Sequence, residues 1–299
     1  MRTAREALSR RVLLCDGPVT RLAGSAGLDA ERDFFGVPGL FPVLNVTRPS
    51  LILNACRRYL EAGADVLRTN SLGASPLSLA AHGMADEAFI FNYKAAALAA
   101  EAVDAVPGNG RRRFVLGIIR DDGWNAPPPE IEQAVDIQAQ GLLAGGADAL
   151  MLDCLPGAGQ IQPMLTGARR ARAALESQAP VLLRSGGKQA GVDGEFSLHV
   201  LKQADGVIRH RAGDPDRRDL LTRWITREGC NLVGGGGSPE ATARLDGILR
   251  ELAEDGLRPW QAWVHETGVV DRFEPVSAWR RFPQPATPAR GPRMPAGLS

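Results

Sequence analysis

Short apolar runs recur along the chain, and between them lie longer alanine-rich stretches whose apolar residues return every three or four positions. The runs fall at residues 12–14, 64–67, 114–119, 147–152, 180–183, 206–208 and 231–233. Runs this short and this apolar predict strands buried on both faces. The stretches at 51–62, 86–105, 131–144, 160–176, 215–227 and 239–255 carry the spacing of amphipathic helices. Strand and helix therefore alternate, which predicts parallel strands joined by right-handed helical crossovers. At this length a TIM-type (β/α)8 barrel is favoured over an open doubly wound sheet, and a count of seven strands predicts a barrel incomplete or modified near strands 6–7. Residues 61–66 and 144–149 share one pattern: a helix ends on glycine and a strand begins at once with Ala-Asp. A glycine there supplies a left-handed turn, so the pattern speaks for architecture rather than for any one function.

Composition narrows the class. Of 299 residues, 44% are hydrophobic and 23% charged, which suits a globular core. Lys plus Arg number 35 against 34 acidic residues, so no global field draws the protein to nucleic acid or to an anionic membrane. No apolar run approaches the roughly 18 residues of a membrane span. Four dispersed cysteines with no CxxC pair and no secretory segment predict a reducing, cytoplasmic setting. Residues 1–255 read as the barrel and 256–281 as an extension bearing Trp260, Trp263 and Trp279. Residues 282–299 read as a proline-rich disordered tail.

In a parallel barrel, chemistry belongs at the C-terminal ends of the strands. Asp16, Asn70, Asp121, Asp153, Ser185 and the run from Gly234 to Gly237 stand there. Asp16 and Asp153 end apolar strands, where a carboxylate needs donors or a cation. They either hold a ligand's ammonium group or cap the following helices. The glycine run either cradles an anion or simply turns the chain, with Ser238 capping the next helix and Pro239 opening it. His82, His199, His210 and His265 show no metal spacing; His210 alone lies near a strand end, between Arg209 and Arg211. Cys154 follows Asp153 and is either a thiolate or an inert small apolar residue.

The segments Leu13-Leu14-Cys15-Asp16-Gly17, Leu44-Asn45-Val46-Thr47-Arg48-Pro49 and Tyr59-Leu60-Glu61-Ala62-Gly63-Ala64-Asp65-Val66, the last continuing through Thr69-Asn70-Ser71-Leu72-Gly73-Ala74, resemble the homocysteine S-methyltransferase family. That family includes betaine-homocysteine methyltransferase and the homocysteine domain of cobalamin-dependent methionine synthase. Echoes continue at Asn92, through residues 140–148, and at Val233-Gly234-Gly235, so the likeness spans about residues 11–250. It implies a barrel that binds zinc through three cysteines and lowers the pKa of the homocysteine thiol. One ligand of the family lies in a GxNC-type sequence and two in GGCC. The matching positions here fall near His210 and at Gly236 and Gly237. Glycine offers no side chain to a metal, so zinc of the usual kind is not expected. Asp16 stands at the family's aspartate, while Asp153 replaces its glutamate.

These readings lead to two functional expectations. One is a zinc-independent methyltransferase or small-molecule-binding enzyme that uses Asp16, Asn70 and Asp153 on an amino- or methyl-bearing ligand. The other is an inactive barrel kept as a binding or scaffolding subunit. A methyl-corrinoid or other methyl donor, and a corrinoid protein or homologous subunit as partner, follow from the resemblance.

Overall fold

A computed structural model of the chain describes residues 3–23, 26–108, 110–153, 160–185, 204–211, 218–227, 230–235 and 237–256. The tryptophan and proline segments beyond residue 256, and Cys154, lie outside the described residues. The strands are β1 (Leu13–Cys15), β2 (Val66–Arg68), β3 (Phe114–Arg120), β4 (Ala149–Asp153), β5 (Val181–Ser185), β6 (Gly206–Arg211) and β7 (Leu232–Gly234). Each of the seven apolar runs contributes to one of them. All are parallel and pair in chain order, and β7 returns to β1 through Leu13↔Leu232, Leu14↔Val233 and Cys15↔Gly234. Among the described residues the sheet is thus a closed ring of seven strands. The ring is staggered at β6, whose first four residues pair with β5 and whose last two, His210 and Arg211, pair with β7.

The long helices are α5 (Pro49–Glu61), α7 (Ala88–Ala105), α8 (Pro128–Ala144), α9 (Ile161–Ala174), α10 (Arg218–Arg227) and α11 (Pro239–Glu254). They wrap the ring and bury their apolar faces against its outside, for example Tyr59 and Leu60 of α5, Val135 of α8 and Leu165 of α9. Shorter helices precede or interrupt this pattern: α1 (Ala4–Arg10), α2 (Val19–Ala23), α3 (Ala30–Phe34), α4 (Leu44–Thr47) and α6 (Pro76–Ala80).

Alternation along the strands sends every second residue inward. Leu13, Val66, Leu116, Met151, Leu182, Ile208 and Leu232 form one interior cluster, which Ala4, Ala7 and Leu8 of α1 join. Because α1 precedes β1, it plugs the end of the barrel where the strands begin and leaves the other end for function. Carboxylates secure that closed end. Asp65 accepts from the Leu14 N–H at 3.0 Å, Asp148 from Val115 at 2.9 Å and Asp205 from Val181 at 2.8 Å, each fixing the strand before its own. Each is also paired with an arginine: Arg11, Arg112 and Arg172 respectively. The repeated junction noted in the sequence is this device, with Gly63 and Gly146 at φ 102° and 100° making the left-handed turn that brings Asp65 and Asp148 round.

Candidate functional site

At the open end the chain leaves β1 through Asp16, which is 2% exposed. Its Oδ1 accepts from the Arg68 backbone N–H at 3.2 Å and from Arg68 Nε at 3.0 Å. Arg68 Nη2 donates to the carbonyls of Asp16 at 3.0 Å and Gly235 at 3.2 Å. One guanidinium thus ties together the ends of β1, β2 and β7. The Cys15 thiol donates to the same carboxylate oxygen at 3.3 Å. Burial pushes the Asp16 carboxyl up from its ordinary value, against the pull of Arg68, and pushes the Cys15 thiol up as well. Cys15 is therefore a protonated thiol in a dry interior.

The glycine run folds against this corner. Gly234 and Gly235 adopt φ of 94° and 88°, a region that suits glycine. Tyr59 donates its hydroxyl proton to the Gly237 carbonyl at 3.0 Å. A side chain at Gly17 would collide with that carbonyl and with the Tyr59 hydroxyl, so the Asp16-Gly17 turn and the glycine loop touch backbone to backbone. Burial raises the Tyr59 phenol to about 12, so it stays a donor at neutral pH. Ser238 accepts from the Ala241 N–H and Pro239 opens α11, the cap the sequence predicts.

Asp153 ends β4 at the same mouth, and both its oxygens accept from Arg184 Nη1 of β5, at 2.8 and 2.9 Å. The Arg184 Nε is buried without a hydrogen-bond partner. Asn70 belongs to a different network: its amide donates to the Phe41 carbonyl at 2.8 Å and to Asn45 Oδ1 at 3.0 Å, while Asn45 donates back to the Asn70 carbonyl at 2.9 Å. Asp121 accepts from the N–H groups of Gly123 and Trp124, holding the loop after β3. That loop and the one after β2 enclose a cleft of about 470 Å³ lined by Leu77, His82, Asp122, Trp124 and Asn125 among others. Backbone pairing sets His210 in β6 opposite Leu232, while Gly236 lies outside the described residues.

The structure therefore joins Asp16 to the glycine run through Arg68, pairs Asp153 with Arg184, and leaves Asn70 bracing a loop. Arg68 and Arg184 are not among the candidate residues of the sequence, and Tyr59 enters there only as the first residue of a family-like segment. Two of them carry a signal nonetheless: Arg68 stands two residues beyond inward Val66, and Arg184 two beyond inward Leu182. By alternation both face the interior at its open end.

A zinc-thiolate centre does not fit the described donors. Gly235 and Gly237 present carbonyls that are already bonded to Arg68 and Tyr59. Cys15 is buried with its thiol directed at Asp16, Cys56 is buried on α5, and Cys230 precedes β7 at the opposite end. Among the described residues no group of three or more His, Cys, Asp or Glu is placed to hold a metal, and no helix is long and apolar enough to cross a membrane.

Comparison with known proteins places the chain. It is 32% identical over 182 residues to methionine synthase of Mycobacterium tuberculosis and 30% identical over 184 residues to that of Mycobacterium leprae. These matches take in 59% and 60% of this chain but 15% of each relative's length. The fold superposes on the Escherichia coli homocysteine methyltransferase MmuM in its metallated form, with a TM-score of 0.63 at 19% identity over 79% of this chain and 96% of that one. The apo form of the same enzyme gives a TM-score of 0.59 at 20% identity, over 79% of this chain and 95% of that one. The family model of homocysteine S-methyltransferase matches residues 13–195, from the first residue of β1 to beyond β5, and the chain belongs to that family.

Proposed function

We propose that this chain is a divergent homocysteine S-methyltransferase-like protein that engages a small molecule at the barrel mouth without zinc. The observation that carries the reading is the placement of Arg68. Its guanidinium lies within hydrogen-bond reach of both Asp16 and Gly235. By the family resemblance, that is where a metal beside Gly236 and Gly237 and the ammonium of an amino-acid substrate would meet. A fixed cation there repels a divalent ion and neutralises the carboxylate that an ammonium would seek. Asp16 and Asp153 then serve by orienting Arg68 and Arg184, and Asn70 by bracing the loop after β2. With the Cys15 thiol and the Tyr59 phenol both held protonated, neither serves as the nucleophile, and the reading takes one that arrives with the ligand or with a partner.

Because the match covers 15% of each mycobacterial methionine synthase, the partner proposed is a corrinoid protein or a homologous active subunit, met in the cytoplasm. A barrel kept only for binding or scaffolding is the second reading. The internal pairing of both carboxylates favours it, and it differs in one outcome: ligand is bound and never turned over.

Two measurements on the full chain test the main proposal. Metal analysis after purification without chelators or metal-binding tags is expected to find substoichiometric zinc. Homocysteine supplied with S-methylmethionine, betaine or a methyl-corrinoid is expected to give no methionine. One tightly bound zinc per chain, or robust methionine formation, would overturn the proposal.

A further inference from the structure

Arg184 holds Asp153 by Nη1 alone, which donates to both carboxylate oxygens at 2.8 and 2.9 Å. A guanidinium has a second, side-on edge formed by Nε–H and Nη2–H, two parallel donors that match the spacing of a planar carboxylate. Among the described residues no acceptor meets that edge, and Nε is buried with no hydrogen-bond partner. A buried donor without an acceptor is costly, and such orphans persist where a ligand completes them. Arg68, across the barrel, commits Nε and Nη2 to Asp16 and Gly235, and Nη1 meets no acceptor among the described residues. Alternation along β2 and β5 turns both guanidiniums to the interior side of the barrel, the side on which Cys15 also lies. The sites an ammonium would seek are meanwhile filled, since Asp16 and Asp153 already hold a cation each.

We propose that the barrel mouth takes a small organic carboxylate lacking an α-ammonium group, gripped bidentately by the Nε/Nη2 edge of Arg184 with Arg68 lending charge from the opposite wall. This deepens the proposed function and rests on its reading of the mouth as a small-molecule site. An α-amino acid fits poorly, because its ammonium would be desolvated beside two guanidiniums with no free carboxylate to receive it.

Calorimetric titration of the full chain with two probes of one skeleton, 4-methylthiobutanoate and L-methionine, tests the idea. The carboxylate is expected to bind and the amino acid to bind at least about tenfold more weakly. Arg184→Lys keeps a cation beside Asp153 but removes the fork, and is expected to weaken 4-methylthiobutanoate about tenfold while leaving the melting temperature near wild type. Equal or tighter binding of L-methionine, binding of neither probe, or unchanged affinity in Arg184→Lys would each overturn the inference. The probe series in the wild-type chain stands even if the variant misfolds. Failure here with zinc and methionine both absent removes this inference alone, whereas stoichiometric zinc or robust methionine formation removes the reading beneath it.

Discussion

Gly17 and Gly247 differ in what a single methyl group would meet. At Gly17 a Cβ would fall on the Gly237 carbonyl and the Tyr59 hydroxyl, two groups that bond each other at 3.0 Å and cannot both retreat. At Gly247, exposed on α11, a Cβ would meet nothing within 4 Å. Gly17→Ala is therefore expected to destabilise the chain by about 1–3 kcal/mol, as overpacking does. Gly247→Ala is expected to stabilise it by about 0.5–1 kcal/mol through helix propensity. Thermal unfolding of the two variants beside wild type decides, and opposite signs are the expected result. The sequence shows why only part of the site is legible at this scale. Asp16 and the glycine run interrupt apolar patterns and so announce themselves. Arg68 closes β2 and Arg184 stands before Ser185 at the end of β5, and their partners are set by register between strands far apart in the chain, which no local pattern encodes.

At the scale of elements, the long strands and helices were readable because each carries a full period of buried positions. The predicted run at 114–119 became Phe114–Arg120, and the helical stretch at 131–144 became Pro128–Ala144, begun early by its prolines. Helices α2, α3, α4 and α6 escaped notice, since four or five residues hold barely one turn of periodicity and are fixed instead by caps and tertiary contacts. Asp33 of α3 shows how. It is 1% exposed, bonded by Arg32 Nε at 3.0 Å and Arg48 Nη1 at 3.1 Å, and by the Asp29 N–H at 2.8 Å, while its carbonyl accepts from Thr47 at 2.7 Å. Hydrogen bonds from Arg32 above all, then from the Asp29 backbone and from Arg48, hold the Asp33 carboxyl well below the usual carboxylate range. A depressed value favours the charged form in the folded chain. Its stabilisation is therefore complete above the ordinary value of about 4 and drains away as pH falls toward the folded one. The melting temperature of Asp33→Asn is expected to trail wild type at neutral pH and to converge on it below about pH 4. A gap that stays constant across that range would show that Asp33 acts through packing rather than charge.

Across the whole molecule, the family match ends at residue 195, yet the barrel is closed by β6, β7 and α11, which all follow it. Closure is therefore the work of a part of the chain that the family match does not reach. Leu245 and Leu252 of α11 pack with Leu14, Leu221, Ile225 and Val233 in one cluster that straddles the junction of β7 with β1. Asp246 of the same helix accepts from Arg111 at 3.0 Å and from Arg250 at 2.9 Å, anchoring it to the closed end of the ring. The residues of this cluster run no further along the chain than Leu252. We propose on this ground that the barrel is residues 1–255, with 256–281 and 282–299 as appendages to it. A chain cut after residue 256 is expected to unfold cooperatively within a few degrees of the full-length protein, having lost none of these contacts. A chain cut after Gly237 forfeits Leu245, Leu252 and Asp246 together, leaves Leu14 and Val233 uncovered at the seam, and is expected to lose its cooperative transition, because deleting two buried leucines alone removes about 4 kcal/mol or more from a fold that has only about 5–15 to spare. Calorimetric scans of the two truncations separate the outcomes, and loss of cooperativity in the longer one would move the barrel's boundary beyond residue 256.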